Sequence, residues 1–149
     1  MQSPFKNILV PIDFSETSLQ ALRLAIRLAR EGAARLTLLH VGVSPVLATS
    51  DPWLATSAEV LLQWHKQLAE EQNHALRRVA REEVPQDIEW RASVEDGFPP
   101  ETILAAAKSG EHDLIVMGTH GRTGLERILM GSVAERVIRA SPVPVLSVR

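Results

Sequence analysis

Apolar residues along this chain follow two rhythms that alternate from one end to the other. Ile8-Leu9-Val10 is a short, continuously apolar run closed by Pro11, the pattern of a strand buried on both faces of a parallel sheet. Past Asp13-Phe14, Ser15 is placed to cap a helix, whose apolar face is Leu19, Leu22, Ile26 and Ala29. Arg23, Arg27 and Arg30 follow the same period on another, solvated face, and Gly32 is placed to end the helix in a left-handed conformation. Leu36 to Val41 is a second apolar strand. Gly42 to Ser57 carries Pro45 and Pro52 with little periodicity and reads as a long loop, of a length that compact domains usually reserve for function or motion.

A helix from about Ala58 to Glu83 follows, with Leu61, Trp64, Leu68, Leu76 and Val79 as its stripe, stopped by Pro85. In Asp87 to Val94, Ile88, Trp90, Ala92 and Val94 alternate with charged or small residues, so this strand has one wet face and belongs near a sheet edge. Pro99-Pro100 opens a third helix, where proline forfeits no hydrogen bond, and Gly110 closes it. Leu114 to Met117 is another doubly buried strand. Ser132 to Arg139 forms a fourth helix, and Val143 to Val148 a last strand, with Pro144 suited to a strand start at an edge.

Strictly alternating strands and helices predict an α/β fold, a parallel sheet covered on both faces. Right-handed crossovers carry the first three strands outward in one direction, and the fourth returns to the other side of the first. The resulting order is 3-2-1-4-5, Rossmann-like, with a single domain over residues 1–149. Ligands of such sheets bind at the carboxyl ends of the strands where the order reverses. Here that point lies between strands 1 and 4, which brings Pro11-Ile12-Asp13 beside Gly118-Thr119-His120-Gly121.

Composition narrows the chemistry. The 149 residues are 45% apolar and 23% charged, with net charge −2, so no overall positive field recruits nucleic acid or an anionic membrane. Cysteine is absent, which removes disulfides, thiol catalysis and thiolate metal sites. No apolar run approaches the 18 to 20 residues, roughly, that span a bilayer, and no leader-like segment precedes the first strand. A cytoplasmic protein is expected.

The glycine-rich stretch from Val116 to Val133 matches neither common nucleotide fingerprint. No Lys precedes Ser132, as a Walker A loop requires, and no Gly-x-Gly occurs. Position supplies the meaning instead. Gly118 and Gly121 can let backbone N–H groups approach an anion. Gly131-Ser132 begins a helix whose unpaired N–H groups and dipole attract phosphate. Asp13 is an acceptor suited to a ribose hydroxyl or to the outer sphere of a metal, or else a partner of Ser15 in capping. Arg122 and Arg127 are candidates to neutralise phosphate. His120 reads as a loop donor, with no second titratable partner near it in sequence to make an acid–base pair. His40 reads as a packed residue, and His65 and His74 as surface residues. Neither a catalytic residue nor a metal ligand set is identified.

The spacing Gly118-x2-Gly121-x9-Gly131-Ser132, together with "ILVPIDFSETSLQAL" and "SPVPVLSV", resembles the ATP-binding branch of the universal stress proteins over Phe5 to Arg149. The resemblance implies a domain that dimerises through its last strand and holds ATP, with Mg²⁺, in the crevice located above. Asp13 and the main chain of Pro11 and Val41 would contact the adenosine end. Met117, Gly118, His120, Gly121 and Arg122 would surround the ribose and phosphates with Gly131, Ser132 and Val133. It further implies a nucleotide-dependent stress-response protein acting on a partner the sequence does not name, with at most slow ATP hydrolysis. The competing expectation is a dimeric protein-interaction module whose crevice takes another adenine compound or none. An adenylate-forming enzyme is disfavoured, because "PIDFSETS" stands where a pyrophosphate loop belongs.

Overall fold

The computed structural model describes residues 4–42, 58–120 and 130–149. Segment 43–57 with Trp53, and Gly121, Arg122 and Arg127, lie outside them. The elements run β1 (Asn7–Pro11), α1 (Glu16–Gly32), β2 (Arg35–Gly42), α2 (Ala58–Glu83), β3 (Trp90–Asp96), α3 (Pro99–Lys108), β4 (Leu114–Gly118), α4 (Ser132–Ala140) and β5 (Val145–Val148). The five strands form one sheet in the order β3-β2-β1-β4-β5, every neighbouring pair parallel.

The period of two along the central strands explains why they read as nearly continuous apolar runs. Ile8 and Val10 of β1, with Leu36, Leu38, Leu114 and Val116, face α1 and α2 in one buried cluster. Leu9, with Leu39, Ile115 and Met117, faces α3 and α4 in another. Alternate residues thus supply two cores, and the polar side chains that β2 buries, Thr37 and His40, are hydrogen-bonded to Arg91 and to the Ile12 carbonyl. On β3, at the edge, Trp90, Ala92 and Val94 pack half-buried against the first cluster, as its alternation predicts; Ile88 is buried just ahead of the strand.

Three local expectations are corrected. The left-handed residue ending α1 is Ala33 (φ 49°), and Gly32 is still helical. Five of the apolar positions of α2 do not form one core stripe: Leu76, with Ala80 and Val84, is buried and Val79 packs beside them, but Trp64 is 56% exposed. The amino-terminal half of α2 therefore runs past the core. His65 is not a bare surface residue either, since its Nε2 lies 2.8 Å from Asp96 at the end of β3. His74 is exposed as expected. Arg23 and Arg30 do sit on a solvated face, paired with Glu16, Glu83 and Asp87.

Candidate functional site

The sheet opens where β1 and β4 part. Their ladder stops at Leu9 opposite Ile115, whereas β1 stays paired to β2 as far as Pro11 opposite Leu39. Pro11 has no N–H with which to continue a ladder. Beyond it the Ile12 N–H still reaches the Leu39 carbonyl at 2.8 Å, so the chain leans toward β2 and away from β4. A cavity of about 230 Å³ lies in the gap.

Its lining includes Pro11, Asp13, Val41, Met117, Gly118, His120, Gly131, Ser132 and Val133. These are nine of the eleven positions expected from the sequence; Gly121 and Arg122 fall outside the described residues. Pro99 and Ile103 also line it, brought in by α3. No sequence signal marks them, because a residue that reaches a crevice from a packed helix looks like any other apolar position.

The wall formed by the β1–α1 turn is held by its own hydrogen bonds. Asp13 Oδ1 accepts from the Ser15 N–H at 3.0 Å and from the Ser15 hydroxyl. Ser15 in turn caps α1, its Oγ accepting the Ser18 N–H at 3.2 Å. Asp13 is therefore both a crevice residue and a brace for the cap. The turn forces Phe14 to φ 65°, a region bulky residues rarely occupy. Its ring packs 4.8 Å from the His40 ring. His40 is buried, and its Nδ1 donates to the Ile12 carbonyl at 2.7 Å. His40 is thus the packed residue expected, and it lines the crevice as well.

The opposite wall shows why two glycines stand where they do. A Cβ on Gly118 would come within 2.9 Å of the Thr17 backbone carbon, and one on Gly131 within 2.9 Å of the Thr119 carbonyl oxygen. Both positions are bare because protein backbone crosses them. Gly118 thus has a packing reason of its own beside the expected one, and it lines the cavity as well. Thr17 completes that contact by donating its hydroxyl to the His120 carbonyl. The Gly131 N–H is likewise spent within the protein, on Thr119 O at 2.7 Å. The donors that α4 turns toward the crevice are those of its first turn, from Ser132 to Ala134. Among the described residues no side chain caps them, the N-cap being Gly131, in contrast to α1.

No group of three or more metal-ligating side chains exists among the described residues, and no described helix is long and apolar enough to cross a membrane. A parallel α/β sheet with a crevice at its switch point, closed on one side by the start of a helix, defines the class of doubly wound, Rossmann-like α/β folds. The comparisons make this specific. Residues 4–149 match the model of the universal stress protein family, and the chain belongs to that family. It is 38% identical to the universal stress protein MJ0531 of Methanocaldococcus jannaschii, across 97% of this chain and 82% of the relative. It superposes on the solved universal stress protein UspA from Lactobacillus plantarum with TM-score 0.80 and 29% identity, covering 100% and 99% of the two chains. It also resembles a universal stress protein solved in complex with cAMP, with TM-score 0.65, 25% identity and 99% of each chain covered.

Proposed function

We propose that this chain is an adenine-nucleotide sensor whose physiological ligand is ATP, held across the crevice between β1 and β4. One observation carries the reading: the uncapped first turn of α4 faces the same cavity as Asp13 and the carboxyl ends of β1 and β4. Phosphate at Ser132 to Ala134 would satisfy backbone donors and meet the positive end of the helix dipole. The adenosine end would lie toward Pro11, Asp13 and Val41. A relative that holds cAMP supports an adenine nucleotide as the ligand class.

Mg²⁺ would travel with the phosphates, because the described residues supply no cation cage and magnesium commonly relies on phosphate oxygens and water. The residues hold better than they cleave. Asp13, the one carboxylate among the described residues that line the crevice, braces Ser15, and His120 carries the Thr17 hydroxyl on its carbonyl. With both groups engaged within the protein, hydrolysis is slow and signalling follows occupancy. Homodimerisation through the edge strand β5 presents that occupancy to a protein partner.

The deciding experiment is calorimetric titration of ATP into the wild-type protein and Ser132→Asp. Ser132 is exposed at the first position of α4. A carboxylate there supports the helix while repelling phosphate, so the thermal midpoint should hold or rise as affinity falls. Gly131→Asp would be a poorer test, since any Cβ there meets Thr119 O. Wild-type affinity weaker than about millimolar, roughly −4 kcal/mol, sinks the reading. Equal affinity in the variant removes α4 from the phosphate site. Leu146→Lys tests the dimer edge: Leu146 is 38% exposed, whereas Val145 and Val148 pack against the cores. A dimer of unchanged mass would rule that edge out.

A further inference from the structure

One residue ties the crevice to the edge of the sheet. Thr119 follows β4 directly and is 4% exposed. Its N–H donates to the Val148 carbonyl at 2.8 Å and its hydroxyl donates to the same oxygen at 3.1 Å. Its own carbonyl accepts the Gly131 N–H at 2.7 Å. Its Oγ1 lies 2.9 Å from His120 Nδ1. A carbonyl can only accept, so the single hydroxyl proton goes to Val148, and the hydroxyl oxygen takes the N–H of His120 Nδ1. The His120 ring, the residue before α4 and the carboxyl end of β5 are thereby held on one threonine.

We propose that Thr119 is a positioning residue that couples occupancy of the crevice to the β5 edge, and so to association with a second copy of this chain. A ligand that orders His120 and the start of α4 fixes the Thr119 hydroxyl and carbonyl, and through them the Val148 carbonyl. An edge strand presents unpaired N–H and C=O groups on its outer side, and its readiness to meet a second edge depends on how firmly its last residues are placed. Coupling of this kind is reciprocal: ATP tightens the dimer by the factor by which dimerisation tightens ATP. The identity of the ligand rests on the nucleotide reading above, while the hydrogen-bonded link does not.

Thr119→Val keeps the shape and removes the hydroxyl; Thr119→Ser keeps the hydroxyl. Two measurements are made on all three proteins after circular dichroism shows them folded. Amide exchange of β5 is followed without nucleotide, and the dimer dissociation constant is measured by sedimentation with and without ATP. In the wild type, ATP should shift that constant by about fivefold or more. In Thr119→Val the shift should fall to about onefold and β5 exchange should accelerate, and Thr119→Ser should restore both. A wild-type dimer that binds ATP with no shift overturns the coupling, as does a Val variant that retains it. If the wild type binds no ATP, the nucleotide reading fails instead, and unchanged β5 exchange in Thr119→Val then overturns the link by itself.

Discussion

Gly118→Ala is the sharpest probe of how the crevice is built. The backbone at Gly118 is not left-handed, so alanine meets no conformational penalty of its own. The cost is steric. The new methyl would lie 2.9 Å from the Thr17 backbone carbon, 2.9 Å from its Oγ1 and 3.0 Å from its Cβ. None of these is a loose side-chain end, because the carbon belongs to the first turn of α1 and the hydroxyl is engaged with the His120 carbonyl. Relief requires α1 and β4 to move apart by several tenths of an ångström. Overpacking of this kind costs about 1–3 kcal/mol, which for a chain of this size lowers the thermal midpoint by roughly 2–12 °C.

The same displacement separates the two walls of the crevice, so ligand affinity should fall along with stability. Differential scanning calorimetry and ATP titration read the two effects. The companion variant Thr17→Ala removes the hydroxyl but leaves the backbone carbon and Cβ in place, so Gly118→Ala/Thr17→Ala should recover little of the lost stability. A midpoint for Gly118→Ala within about 1 °C of wild type would refute the packing reason for this glycine. Full recovery in the double variant would show that the clash is with a yielding hydroxyl rather than with backbone.

Other outcomes follow from the same geometry. Ser15→Ala should cost about 1 kcal/mol through the lost helix cap, read by urea denaturation, with a further loss of ligand affinity because Asp13 loses the hydroxyl that braces it and keeps only the backbone N–H of that residue. Leu76→Ala should cost about 2–5 kcal/mol as a core truncation, whereas Trp64→Ala should stay within about 0.5 kcal/mol; a large loss for Trp64 would mean that the amino-terminal half of α2 is packed after all. The hydrogen bond and charge of Arg23 hold the Glu83 carboxyl below its ordinary value. Its small stabilisation is therefore complete above the ordinary value of 4.5 and is lost as pH falls through the depressed one. The midpoint gap between wild type and Glu83→Gln should shrink on acidification and in high salt; a gap that widens in acid would contradict the assignment.

The sequence by itself determined the order of elements, the parallel sheet and its 3-2-1-4-5 arrangement. Those follow from hydrophobic period and crossover handedness, and the largely apolar runs of β1, β2 and β4 place them at the centre. It also located the crevice, since a switch point follows from strand order alone. What it could not determine was the reason for each residue there. Gly118 and Gly131 read as ligand glycines in sequence, and the structure adds a second reason for each, backbone from Thr17 or Thr119 lying where a Cβ would be. Ala33, a residue with no sequence signal for the role, takes the left-handed position after α1. Phe14 stands at positive φ because Asp13 and Ser15 close the turn around it. The arrival of Pro99 and Ile103 at the crevice, and the meeting of Gly131, His120 and Val148 on Thr119, depend on contacts between segments far apart in the chain. Periodicity records which face of an element is buried, but it carries no record of what lies against that face; packing in three dimensions decides that.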